Sequence, residues 1–95
     1  MRYAELLRRV AENIQDLRRE QGLTQEETAH RAKLSTRALA SIERAETSGP
    51  ALETLHAVAE ALGVEVVHLL GPRPEGDRPE AIRRGRKPKK AVVMP

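Results

Sequence analysis

Apolar side chains recur at Leu7, Val10, Ile14 and Leu17, at intervals of three and four, while Arg8, Arg9, Glu12, Asp16 and Arg19 fill positions between and beyond them. That spacing draws one apolar stripe along a helix and predicts α-helix from about Tyr3 to Gln21. Gly22 supplies the left-handed residue that ends such a helix, and Leu23 follows where a hydrophobic contact back onto it is expected. Thr24-Gln25-Glu26-Glu27 has the form of a capping box, so a second helix should run from Gln25 to about Ala32. Lys33 and Leu34 alone separate it from Ser35, another good N-cap. A short third helix is predicted at about Thr36 to Arg44, with Leu39 and Ile42 inward and Arg37, Ser41 and Arg44 outward.

Residues 45–49 lack periodicity and lead into Gly49-Pro50, which reads as a loop before a fresh helical pattern. Leu52, Leu55, Val58, Ala59 and Leu62 then form an apolar face closed by Gly63, predicting a fourth helix. Val64, Val67 and Leu70 continue at three-residue spacing and suggest a short fifth helix, with the β-branched Val66 and Val67 leaving a strand as the alternative. From Gly71 onward, five prolines and three glycines in 25 residues, with almost no large apolar side chain, cannot offset the entropy of folding. The expected organisation is therefore an all-α folded domain over 1–70 and a disordered basic arm over 71–95.

Composition narrows the function. With 95 residues there is room for one small domain, and 39% hydrophobic residues with a single aromatic, Tyr3, suffice for a compact helical core. Domains of this kind bind other molecules more often than they enclose a substrate. The absence of cysteine excludes disulfides and thiolate metal sites and fits a reducing, cytoplasmic setting. The N-terminus has no signal-peptide core, and the longest apolar run, Ala91 to Met94, is far too short to span a membrane. His30, His56 and His68 sit on three different predicted helices, and no serine has a Gly-x-Ser-x-Gly setting. No metal site, cofactor or enzyme activity is expected.

The net charge of +3 is unevenly placed. Residues 1–70 hold nine Lys and Arg against eleven Asp and Glu, which is −2, whereas residues 71–95 hold eight against three, which is +5. Any role for the folded part in binding a polyanion must rest on local placement of charge.

Two helices joined by so tight a turn cross steeply, and the second can project from the domain. The major groove of duplex DNA accepts one such helix, whose N-terminal side chains reach base edges while the preceding helix lies across the phosphates. Thr36, Arg37 and Ser41 occupy outward positions suited to that task. From Ile14 to Leu70 the chain resembles the phage-repressor and Cro type of helix-turn-helix protein, also called the xenobiotic-response-element family. The likeness runs through Leu17-Arg18, Gly22-Leu23-Thr24-Gln25, Ala29, Leu34-Ser35, Ile42-Glu43-Arg44, Pro50, Leu52-Glu53-Thr54-Leu55 and Ala59-Glu60-Ala61-Leu62-Gly63-Val64. It implies a five-helix, lambda-repressor-like domain that binds a palindromic DNA operator as a homodimer and usually represses transcription. Carried over by residue, Gln25 would contact phosphate and brace the third helix, Thr36, Arg37 and Ser41 would read bases, and Arg18 would pair with Glu43.

Departures from the family pattern qualify that picture. Lys33 stands where the family most often has glycine, so either Lys33 takes a left-handed backbone or the turn differs. Ala45 likewise replaces a common glycine, and the loop Glu46-Thr47-Ser48-Gly49 is less basic than the family's phosphate-binding loops. That leaves Arg31, Lys33, Arg37 and Arg44 as the expected positive surface. In the tail, Arg83-Arg84-Gly85-Arg86-Lys87-Pro88-Lys89-Lys90 resembles an AT-hook, a minor-groove element, interrupted by Lys87; the alternative is unspecific attraction of Arg83, Arg84, Arg86, Lys87, Lys89 and Lys90 to any polyanion. Ala91 to Met94 is a further candidate for docking on a partner as a strand. The sequence supports a dimeric DNA-binding regulator; the rival is an antitoxin that binds DNA through the same domain and a toxin protein through the tail or the N-terminal turn.

Overall fold

The computed structural model describes residues 1–46 and 48–72. Five helices follow one another, α1 (Tyr3–Glu20), α2 (Gln25–Ala32), α3 (Thr36–Glu43), α4 (Leu52–Ala61) and α5 (Val67–Leu70). No strand occurs among the described residues, so the stretch before Gly71 is helical and the strand alternative is rejected. The AT-hook-like segment and the Ala91–Met94 run lie outside the described residues.

α1 packs against α3 and α5, and α2 packs against α3 and α4. Their shared core is aliphatic: Val10, Ile14 and Leu17 from α1, Ala29 and Ala32 from α2, Leu39 and Ile42 from α3, Leu55, Val58, Ala59 and Leu62 from the fourth helix and its end, and Leu69 from α5. Each large side chain fully buried here contributes about 1.5–3 kcal/mol of transfer free energy, which is what assembles helices too short to persist alone.

Four helix ends share one arrangement. Gly22, Lys33, Ala45 and Gly63 each adopt a left-handed backbone. In each case the next residue donates its amide to a carbonyl five positions back, Leu23 to Arg18 (3.0 Å), Leu34 to Ala29 (2.8 Å), Glu46 to Ser41 (3.0 Å) and Val64 to Ala59 (2.9 Å). These bonds satisfy carbonyls that the helix itself leaves open. Lys33, at φ 60° and ψ 39°, thus takes the left-handed backbone, and the turn keeps its geometry without glycine.

Two expectations about the core need correction. Leu52 was expected on the apolar face of α4 but is 72% exposed. Periodicity fixes the direction of a side chain, not whether anything lies in that direction, and the first turn of α4 reaches past the core to the rim of a groove. Val67 was expected on the inner stripe of the fifth helix but is 60% exposed, while Leu69 is fully buried. The count from Val64 fails because Val64 belongs to the end of α4, and α5 begins only at Val67.

A polar bond anchors the last helix. Asn13, almost fully buried on α1, donates both amide hydrogens, to the carbonyls of Leu69 (2.8 Å) and Gly71 (2.9 Å). A one-turn helix has no internal partners for its final carbonyls, and Asn13 supplies them.

Candidate nucleic-acid interface

The α2–α3 pair is set by its own caps. Thr24 Oγ1 accepts the Glu27 amide (3.0 Å) and the Glu27 carboxylate accepts the Thr24 amide (2.9 Å), closing the box that starts α2. Those bonds to Thr24, helped by the positive charge of Arg31, hold the Glu27 carboxyl below its ordinary range. At the start of α3, Ser35 Oγ accepts the Ala38 amide (3.0 Å). Ala29 and Ala32, both buried, are small enough for the two helices to approach closely, and Leu39 and Ile42 bury the inner side of α3. Thr36 and Arg37 are left exposed on the first turn of α3, and Ser41 is half-buried one turn further on.

What holds α3 in place is a buried carboxylate. Glu43, only 4% exposed, receives Arg18 through two parallel bonds, Nε to Oε2 at 2.8 Å and Nη2 to Oε1 at 3.1 Å. Gln25 Nε2 donates to the same Oε1 (2.9 Å), and Gln15 Nε2 donates to the Glu43 carbonyl (2.5 Å). Arg18 Nη1 also reaches the Leu23 carbonyl (2.9 Å), so one guanidinium joins α1, the α1–α2 turn and α3. Removing one member of such a pair leaves an uncompensated buried charge and costs about 3–5 kcal/mol, whereas the intact pair adds little net stability. Its effect is geometric: three helices meet at one carboxylate. Gln25 Nε2 carries two hydrogens, and the bond to Glu43 uses one.

Arg31, Lys33 and Arg37 are exposed and lie along the last turn of α2, the turn itself and the first turn of α3. Arg44 stands apart at the other end of α3, seven residues or about 10 Å along the axis from Arg37. Its guanidinium is held by Glu46, Nε to Oε2 at 2.8 Å and Nη2 to Oε1 at 3.1 Å. The structure therefore brings Arg18, Gln25 and Glu43 into one cluster and places Thr36, Arg37, Arg31 and Lys33 around one turn. The tail residues Arg83, Arg84, Arg86, Lys87, Lys89 and Lys90 lie outside the described residues.

Three contributors escaped sequence reasoning. Asn13 falls three residues after Val10, on the buried stripe, where a polar side chain must find partners. Gln15 sits one turn before Arg18 on the same side of α1, so the arginine's position already indicated it. For the Arg44–Glu46 pair no periodic signal exists, because the left-handed Ala45 between them sets their geometry. Among the described residues, no group of acidic and histidine side chains could hold a metal ion, and no helix is long and apolar enough to cross a membrane.

Comparison with known proteins agrees with this geometry. The model of the helix-turn-helix family matches residues 14–69. Over 66 residues the chain is 46% identical to the HTH-type transcriptional regulator y4dJ of Sinorhizobium fredii, covering 70% of this chain and 84% of that protein. It is 45% identical over 62 residues to the immunity repressor protein of Bacillus phage phi105, covering 65% of this chain and 42% of the repressor. Among solved structures, the restriction-modification controller protein C.AhdI of Aeromonas hydrophila superposes with a TM-score of 0.66 at 28% identity, over 70% of this chain and 98% of that one.

Proposed function

This chain belongs to the helix-turn-helix family of DNA-binding transcriptional regulators, and on that footing we propose that it binds duplex DNA sequence-specifically as a homodimer and represses transcription by binding alone. The observation that carries this reading is the Glu43 cluster, which fixes α3 against α1 and α2 while its first turn, with Thr36 and Arg37, faces solvent. A reading helix must be held within fractions of an ångström to discriminate bases, and bonds from α1 and α2 to the residue ending α3 are suited to that. In this reading Thr36, Arg37 and Ser41 meet base edges in the major groove. Gln25 gives its second amide hydrogen to a phosphate, and Arg31, Lys33 and Arg44 flank the groove on the backbone.

Repression is drawn from the phage immunity repressor, whose name states it. Dimerisation is supported by apolar surface left open: Tyr3, Leu6, Leu7, Leu52 and Leu70 line a groove of about 200 Å³, and Val67 is exposed on α5. Of Val66, Val67 and Leu69, only Leu69 is fully buried, and Val67 is largely exposed. Residues 71–95, with their charge of +5, are in this reading drawn to phosphate. Selection of bound duplexes from a randomised pool by the full chain tests the proposal. Enrichment of a two-fold symmetric site with half-sites about 10 base pairs apart is expected, and a pool that stays random overturns it.

A further inference from the structure

Three of the four helix ends built on a left-handed residue are closed by an apolar side chain, Leu23, Leu34 or Val64, packed against the core. The fourth, at the end of α3, carries Glu46 in that position, with its side chain 56% exposed. Glu46 therefore does not supply the apolar closure that the other three provide. The left-handed Ala45 instead folds Glu46 back over the last turn of α3, where its carboxylate meets the Arg44 guanidinium in two parallel bonds of 2.8 and 3.1 Å. That is the planar, two-point arrangement by which arginine grips a phosphate, and a phosphate gripped through that edge would use the same Nε and Nη2 hydrogens.

Resting on the reading in which Arg44 contacts the DNA backbone, we propose that Glu46 is an intramolecular competitor for the phosphate at Arg44 and thereby a specificity-determining residue. On DNA of arbitrary sequence a phosphate taking that edge displaces Glu46, and an arginine already neutralised releases little from the counterion atmosphere, so that contact adds almost nothing. On a cognate site the base contacts of α3 hold one phosphate at Arg44, and the local geometry, not bulk attraction, decides the exchange. Glu46 thus weakens unspecific binding more than specific binding. The bond to Arg44 holds the Glu46 carboxyl below its ordinary range, and at neutral pH the competitor is ionised, as any exposed glutamate is. An acidic balance of −2 over residues 1–70 has the same tendency in general, and Glu46 applies it at one atom pair.

A double-mutant cycle on the full chain separates competition from general repulsion. The probe is a mixed-sequence duplex three helical turns long, titrated by fluorescence anisotropy at about 50 and about 200 mM salt. Glu46→Gln should tighten binding about two- to five-fold, the range for releasing an exposed ion pair, and steepen the salt dependence by about one released counterion. In an Arg44→Ala background the same substitution should do nothing. Equal tightening in both backgrounds would mean that Glu46 merely repels the polyanion, and no tightening with Arg44 present would mean that it does not compete; either result overturns the proposal. If Arg44→Ala in the Glu46→Gln background binds as tightly as Glu46→Gln alone, the failure lies in the backbone role of Arg44 on which the proposal stands. Both residues are exposed, so an unchanged melting temperature will show that fold is not the variable.

Discussion

The ends of α1 and α4 and the ends of α2 and α3 use the same hydrogen bonds but different residues. At α1 and α4 the left-handed position is glycine, Gly22 and Gly63. At α2 and α3 it is Lys33 and Ala45, for which that backbone costs about 1–2 kcal/mol each. Strain is thus confined to the two ends that bracket α3, while the scaffold helices end without it. The comparison shows a domain that keeps α3 in place by tertiary bonds, chiefly those to Glu43, and not by locally relaxed turns. Strain of this kind persists only where the surroundings over-determine the backbone.

Four outcomes test that contrast. The largest should come from the scaffold: Gly22→Ala and Gly63→Ala each lose about 1–2 kcal/mol in urea unfolding. A methyl group at either position meets nothing within 4 Å, so the loss reports backbone strain alone. A smaller effect of opposite sign is expected at the two ends that bracket α3, where Lys33→Gly and Ala45→Gly raise stability by about 0.5–1 kcal/mol. The gain is partial because glycine also loosens the unfolded chain, and Lys33 already sits near the centre of the left-handed well. If all four substitutions moved stability the same way, the contrast would be an artefact of how the ends are drawn.

How much of this was legible in the sequence depends on the range of the interactions. Thr24 with Glu27, Ser35, and Gly22 with Leu23 are signals complete within five residues, and the elements they bound appear where expected, α2 at Gln25–Ala32 included. The family resemblance marked Lys33 and Ala45 as departures and left open how the chain would absorb them. Leu52 and Val67 defeated the reading because periodicity reports which way a side chain points, while burial depends on which helix lies opposite. In the site, Arg37 and Thr36 follow from helix phase alone. Helix phase marks Gln15 and Asn13, but their partners follow only from knowing that α1 faces the end of α3 and the end of α5, which no local pattern contains.

A third outcome concerns acid. The start of α2 depends on an ionised carboxylate, whereas the start of α3 depends on the Ser35 hydroxyl, which does not titrate. Because the folded chain holds the Glu27 carboxyl below its unfolded value, this contribution is complete above the ordinary carboxylate range and is lost as pH falls through the depressed folded value. Amide exchange should therefore show α2 fraying at its first turn before α3 does as the pH falls below the ordinary carboxylate range. Synchronous fraying would show that the box does not set the stability of that end. The effect should be small, since Thr24 and Glu27 are exposed.

The fourth outcome bears on the central claim, that the exposed first turn of α3 reads bases while the residues around it only position the chain. Base-preference profiles measured for the parent, Arg37→Ala and Gln25→Ala on a selected site and all its single-base variants test it most directly. Arg37→Ala should cost about 1–3 kcal/mol on the selected site and flatten the preference at one base pair of each half-site, whereas Gln25→Ala should weaken all variants alike and leave the profile intact. A profile unchanged by Arg37→Ala, or one altered at a single base pair by Gln25→Ala, would contradict the assignment.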